Sequence, residues 1–235
     1  MNDKLLALET LEIPPRSGPA QFTVIWLHGL GADGHNFAPV APQLTQTQNT
    51  AAVRFIFPHA PLLPITLNGG MVMPAWFDIV ALEWESRWDE AGIVQACRAV
   101  QTLIAKENQR GIPSSHIFLA GFSQGGAVAL LAGLTYSEPL AGIMGLSTFL
   151  PISKPLQQQF TTANQHTPIL LAHGDSDSVI GFAMGKQTYH LLKQHNAQSE
   201  WHAYPGLAHS VSQQEIQDID TWLTDKIKKA LKLQN

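Results

Sequence analysis

Residues 116–136, HIFLAGFSQGGAVALLAGLTY, begin as a strand and end as a helix. Ile117 to Ala120 is a short apolar run bounded by turn residues, and Ala127 to Tyr136 is an apolar stretch of helical composition. Between them, Gly121-Phe122-Ser123-Gln124-Gly125 is a GxSxG. A serine on so abrupt a strand-to-helix turn sits in strained backbone with its hydroxyl presented outward, and the flanking glycines let neighbouring chain approach closely. The helix N-terminus behind it favours developing negative charge. The competing role for Ser123 is a plain helix cap in a Gly-rich turn. A strand before and a helix after weigh toward a nucleophile.

The same alternation continues outward in both directions. QFTVIWLHG (21–29) and AVRFIFPHAP (52–61) read as buried strands upstream, and LAGIMGLS (140–147), TPILLAHGD (167–175) and EWHAYPG (200–206) as strands downstream. EAGIVQACRAVQTLIAKENQ (90–109) places Ile93, Ala96, Cys97, Val100, Leu103 and Ile104 on one stripe at helical spacing, and Gly111 and Pro113 stop it. AMGKQTYHLLKQHN (183–196) and SQQEIQDIDTWLTDKIKKALKL (212–233) are the other clear helices. Alternating strands and helices predict an α/β fold, with helices on both faces of a largely parallel central sheet. With no repeat, linker or shift in composition, residues 1–235 read as a single domain.

A serine is a weak nucleophile until a base takes its proton, and the base needs an orienting acid. After a serine elbow these follow in the order Ser, Asp or Glu, His. The strand Ile169 to Ala172 leads into His173-Gly174-Asp175-Ser176-Asp177. Asp175, beside Gly174, is the better turn former, so Asp177 is favoured as the acid and Asp175 remains its competitor. Of the later histidines, His190 and His195 sit on a helix and His202 in a strand. His209, on the loop before the last helix, has the position a base needs. An oxyanion needs preorganised N–H donors. Gln124, just after the serine, supplies one, and Leu30, flanked by Gly29 and Gly31 after the first strong strand, supplies the other.

The chain has 235 residues, 45% hydrophobic and 14% charged, with 14 Lys and Arg against 18 Asp and Glu. That composition excludes intrinsic disorder and gives no basic footprint for nucleic acid. A single cysteine, Cys97, forms no internal disulfide, and on its apolar stripe it reads as an inert core thiol. No apolar run is long enough to span a bilayer and the first residues lack a signal-peptide core, so a soluble cytoplasmic protein is expected, with no stable membrane insertion. Ten histidines form no recognised zinc spacing, so no metal is expected. Pro58 to Phe77, rich in Pro, Gly, Met and Leu, fits neither period. It reads as an irregular flap, either the wall of an apolar ligand pocket or a cover for the core. Trp84 and Trp88, beside Glu83 and Glu85, read as packing in preference to an interface. Lys226, Lys228, Lys229 and Lys232 suit the C-terminal end of a helix, with a membrane-surface role as the weaker alternative.

LHGLGADGHNF, FPHAP, MPAWFDI, DEAGI, GIPSSHIFLAGFSQGGA, LSTFLP, HGDSD and GLAHS occur in an order that resembles the acyl-protein thioesterase and carboxylesterase (phospholipase/carboxylesterase) family of α/β-hydrolases. The resemblance runs from about Thr23 to the last helix. It implies a nucleophile at Ser123, an acid at Asp177, a base at His209 and oxyanion donors at Leu30 and Gln124. It also implies no cofactor, a substrate carrying an acyl chain on oxygen or sulfur (a small ester or thioester, a lysophospholipid or an acylated protein), and frequent homodimers. Leu62, Leu63, Met73, Trp76 and Val179 are the expected substrate-pocket residues. Asp177-Ser178-Val179-Ile180 departs from the Pro that many members carry after the acid, and Leu62 to Met73 falls where members vary. Chain length is therefore what the resemblance carries least. A peptidase-type hydrolase on the same fold, or a non-catalytic module binding an apolar ligand, are the rival readings.

Overall fold

The computed structural model describes residues 7–232 except 49, 83–87, 152 and 197. In chain order its strands are β1 (Thr10–Ile13), β2 (Phe22–Leu27), β3 (Val53–Pro58), β4 (Leu62–Ile65), β5 (Met71–Pro74), β6 (Ile117–Phe122), β7 (Gly142–Leu146), β8 (Ile169–Gly174) and β9 (Ser199–Tyr204). The α-helices are α1 (Glu90–Gln109), α2 (Gln124–Leu134), α3 (Lys154–Gln157), α4 (Phe182–His195) and α5 (Gln213–Lys232). Seven strands form one sheet in the order β1-β3-β2-β6-β7-β8-β9, parallel throughout except for β1, which runs antiparallel to β3.

The apolar runs of β2, β6, β7 and β8 are buried along almost their whole length, as strands covered on both faces must be. Alternate side chains divide between two cores. Ile25, Leu119, Ile143 and Leu171 pack with Ile93, Val100 and Ile104 of α1 and the apolar residues of α2. Val24, Phe118, Met144 and Leu170 pack on the other face with Ile219, Trp222, Leu223 and Ile227 of α5. The α/β architecture with helices on both faces is therefore as the sequence predicts, and the α1 stripe is buried at all six expected positions. Trp88 stacks on Phe149 with ring centroids 5.2 Å apart, a packing role; Glu83, Trp84 and Glu85 lie outside the described residues.

Two expectations need correction. Pro58 to Phe77 is not an irregular flap, because β4 and β5 pair antiparallel from Leu62↔Pro74 to Ile65↔Met71, turning through Gly69 and Gly70, both at positive φ. Pro64 and Pro74 disguise the ribbon, since proline is at home only on strands with a free edge. Helix α2 starts at Gln124, three residues before the apolar run at Ala127 that suggested it. Two glycines make a poor helix start by propensity. Here contact decides: a Cβ on Gly125 would overlap the His28 carbonyl oxygen, and one on Gly126 would come within 2.7 Å of Thr148. The short edge strand β1 carried no signal of its own and exists through its pairing with β3.

The first turn of α5 buries Glu215 completely. Burial pushes its carboxyl up to about 8 from 4.5, with the nearby Asp218 charge adding to the rise and the Ser212 N–H opposing it. Below 4.5 both folded and unfolded chains hold this proton. Between 4.5 and about 8 the unfolded chain releases it first, so stability is lost as pH rises through that window. Urea midpoints are expected to fall across it by an amount worth a few kcal/mol, since each pH unit of the window is worth about 1.4 kcal/mol. Glu215→Gln should flatten the slope, and an unchanged slope would mean that Glu215 is not its source.

Candidate active site

Chain direction in the sheet decides where a site can form. From β2 the chain moves outward to β3, and β6 then returns on the other side of β2. At such a switch point the loops leaving neighbouring strands diverge, opening a crevice at the carboxyl edge. The register Leu27↔Gly121 brings the loop after β2 beside the turn after β6, and Gly174↔Tyr204 does the same for the loops after β8 and β9.

Ser123 occupies that crevice with φ 55 and ψ −123. Among the described residues only Ser147, at the end of neighbouring β7, is another non-glycine at positive φ. Such a backbone costs on the order of 1–2 kcal/mol and needs its surroundings to hold it. The Ser123 N–H donates to the Leu146 carbonyl at 2.9 Å, and Thr148 Oγ1 donates to the Ser123 carbonyl at 2.7 Å.

The Ser123 hydroxyl lies 3.0 Å from His209 Nε2, and His209 Nδ1 lies 2.7 Å from Asp177 Oδ2. A carboxylate only accepts, so Nδ1 carries the proton and Nε2 offers its lone pair to the serine. The Asp177 side chain is fully buried, and its other oxygen accepts the Val179 and Ile180 N–H groups, each at 2.9 Å. Asp175 instead holds a turn, accepting the Gly206 N–H at 2.7 Å. His190 and His195 are exposed on α4 and His202 lies in β9.

The loop carrying Leu30 is fixed from several sides. A Cβ on Gly29 would sit 3.4 Å from the Ser123 Cβ, so the loop abuts the elbow. Gly31 donates its N–H to the Pro74 carbonyl at 2.8 Å, tying the loop to the end of the ribbon. His28 donates from Nδ1 to the Gly29 carbonyl and accepts the Ala60 N–H at Nε2, a neutral tautomer consistent with burial holding its pKa down. Trp76 donates its ring N–H to the His28 carbonyl at 2.8 Å and its backbone N–H to Gln124 Oε1 at 3.0 Å, while Gln124 Nε2 donates to the Phe77 carbonyl. Sequence reasoning missed His28 and the Gln124 side chain as supports. Their only signal was a polar residue embedded in an otherwise apolar stretch.

The expected pocket residues separate. Leu63 and Trp76 line a cavity of about 320 Å³ with Pro61, Asp89, Gly92 and Ala96. Met73 lies over Gly31 of the Leu30 loop. Leu62 and Val179 are exposed, at 67% and 49%. Cys97 is buried, and desolvation pushes its thiol up to about 12. Lys226 pairs with Glu200 at 3.0 Å and Lys229 with Asp225 at 2.9 Å, so half of the terminal lysine cluster is matched by carboxylates.

Among the described residues, Asp33, His35 and His59 are the group whose donor atoms could surround a metal ion, lying within 4.8 Å of one another. Asp33 Oδ1 already takes the His35 N–H and lies 3.1 Å from His35 Nδ1, and His59 Nδ1 accepts the Gly34 N–H. These atoms are engaged in closing a turn.

The model of the phospholipase/carboxylesterase family matches residues 8–227. The chain belongs to this family of α/β-hydrolases. It is 41% identical over 214 residues to acyl-protein thioesterase 1 of Neurospora crassa, covering 88% of this chain and 87% of that one. It is 42% identical over 211 residues to acyl-protein thioesterase 1 of Yarrowia lipolytica, covering 88% and 92%. The crystal structure of Arabidopsis thaliana SOBER1 superposes with a TM-score of 0.84 at 34% identity, covering 88% of this chain and all of that one. Zea mays acyl-protein thioesterase 2 gives 0.80 at 27% identity, covering 93% and 99%. This member of the phospholipase/carboxylesterase family is an enzyme of the serine hydrolase class. Among the described residues no helix is long and apolar enough to cross a membrane.

Proposed function

We propose that this single-domain enzyme hydrolyses oxygen esters and thioesters of medium-to-long acyl chains through an acyl-enzyme, with Ser123 as nucleophile, His209 as base and Asp177 as orienting acid. The observation that carries this is the unbroken hydrogen-bonded line from Ser123 Oγ through His209 to Asp177. Ser123 Oγ attacks the acyl carbonyl while its proton passes to His209 Nε2, and the buried Asp177 carboxylate stabilises the imidazolium that forms. The Leu30 and Gln124 N–H groups receive the oxyanion; among the described residues neither is given to a backbone acceptor. Collapse of the tetrahedral intermediate breaks the bond to the leaving oxygen or sulfur, which takes the proton from His209 as required. Water, deprotonated by His209, then attacks the acyl-enzyme, and the fatty acid and free Ser123 are released.

A thiolate needs little protonation to leave, so thioesters and activated esters are the easier substrates. An amide needs full general-acid help from His209, which ranks peptides last. Lysophospholipids, S-acylated proteins and small acyl esters all present the required bond.

The cavity lined by Leu63 and Trp76, at roughly 320 Å³ near the small end of known ligand pockets, is joined to the site through Trp76, which donates to Gln124 and the His28 carbonyl. On this link the acyl-length preference rests. Hydrolysis of p-nitrophenyl esters from acetate to palmitate by wild type and Leu63→Ala tests this. The variant should shift the optimal length while acetate turnover stays within about threefold, a methylene contact being worth about 1 kcal/mol. Equal losses on acetate and long chains would sink the pocket assignment.

A further inference from the structure

The acid Asp177 faces two histidines. His209 Nδ1 meets Oδ2 at 2.7 Å on the solvent side, and the buried His173, the second-to-last residue of strand β8, brings its Nε2 to 3.4 Å from the same oxygen. His173 Nε2 also lies 2.8 Å from the Ile180 carbonyl. A carbonyl only accepts, so Nε2 carries a proton and donates it to the Ile180 carbonyl, with Asp177 Oδ2 alongside at 3.4 Å. The ring has no freedom to leave. It lies nearly parallel to Trp201, 5.9 Å between centroids, with Phe182 edge-on at 6.1 Å. Behind it, Gly185 of α4 leaves room for Nδ1 that a Cβ would overlap.

We infer that His173 is a positioning residue for the acid: its Nε2–H closes the Asp177–Ile180 loop through the Ile180 carbonyl and presents a second N–H dipole to Asp177 Oδ2, aiming the carboxylate at His209. The two jobs reinforce each other, because Ile180 is also one of the two backbone donors to Oδ1. One neutral ring therefore ties together the loop that holds the acid and the oxygen that serves the base. Neutrality matters. A cation here would spend the Asp177 charge that His209 needs when it becomes imidazolium. Burial, opposed by the Ile180 carbonyl and Asp177, holds the His173 pKa below its usual value. The departure from Pro after the acid, Asp177-Ser178-Val179-Ile180, leaves this loop without a rigid ring of its own.

This inference rests on the proposed role of Asp177, and the test separates the two. Three variants are compared with wild type and Ser123→Ala by the pH dependence of kcat and kcat/KM on a p-nitrophenyl ester. His173→Leu fills the space without an N–H; His173→Gln places an amide N–H where Nε2 stood; Gly185→Ala displaces the ring without altering it. His173→Leu and Gly185→Ala should lower kcat by roughly 10–100-fold with KM within twofold, the scale of a slightly misplaced catalytic group. Their acid limb should move to lower pH by about half a unit, since a poorly aimed carboxylate stabilises imidazolium less. His173→Gln should recover kcat to within about fivefold and restore the limb. A normal acid limb and kcat in His173→Leu, or in Gly185→Ala should the former not fold, would overturn the inference. So would a His173→Gln variant as impaired as these. If instead Asp177→Asn or Ser123→Ala keeps wild-type turnover, it is the underlying proposal that fails.

Discussion

Ser123→Ala is expected to lower kcat on a p-nitrophenyl ester by about 10⁵-fold, leaving only the residual acceleration of binding and the oxyanion donors. The loss is large because the hydroxyl is the one group of the proposed line that forms a bond to substrate. Folding should be untouched. The hydroxyl is not a helix cap here, since its side chain makes no hydrogen bond to the first turn of α2. Alanine at φ 55 bears the same backbone strain as serine. Ser123→Gly sharpens the test: glycine relaxes at positive φ, so this variant should be equally inactive yet more stable by about 1 kcal/mol. Urea unfolding beside steady-state kinetics reads both. A Ser123→Ala protein retaining even a hundredth of wild-type kcat would remove Ser123 as the nucleophile.

Asp177→Asn should lower kcat by roughly 10³–10⁴-fold with the fold intact. The direction in which the amide settles is dictated by its neighbours. The Val179 and Ile180 N–H groups at 2.9 Å require an acceptor, so the amide oxygen takes the Oδ1 place and the NH2 group the Oδ2 place. That NH2 faces His209 Nδ1, which must then surrender its proton and become the acceptor. His209 is thereby held with the proton on Nε2, pointing at Ser123, and has no lone pair for the serine proton. Asp175→Asn, by contrast, should stay within about threefold of wild-type kcat, because Asp175 closes the turn at Gly206 and touches neither His209 nor Ser123. If Asp175→Asn proved the damaging change and Asp177→Asn the mild one, the acid would have to be reassigned.

The residues proposed as nucleophile, acid and base were legible because each sits where a local pattern breaks. Ser123 interrupts strand and helix at a GxSxG, and Asp177 and His209 follow strands on loops that nothing else explains. Their order along the chain then admits few alternatives, and the structure brings these three together within 3.0 Å. The pocket was less legible. Leu62 and Leu63 are adjacent leucines that a sequence cannot tell apart, yet pairing in the ribbon sends one to solvent and the other to the cavity wall.

What the sequence determined by itself was the alternation of strand and helix, the two-faced burial of the central strands and the identity of the groups able to do chemistry. Each follows from local properties: hydrophobic periodicity, turn residues and side-chain type. Only the tertiary structure decided that Pro58 to Phe77 is a ribbon, that α2 carries two glycines in its first turn, and that His28, His173 and the Gln124 side chain support the site. Each of those depends on a partner distant in sequence. Position 125, in the first turn of α2, must be glycine because the His28 carbonyl leaves no room for a side chain. His173 reads as one more residue of a buried strand until the loop after β8 folds back and sets Asp177 and Ile180 against its ring.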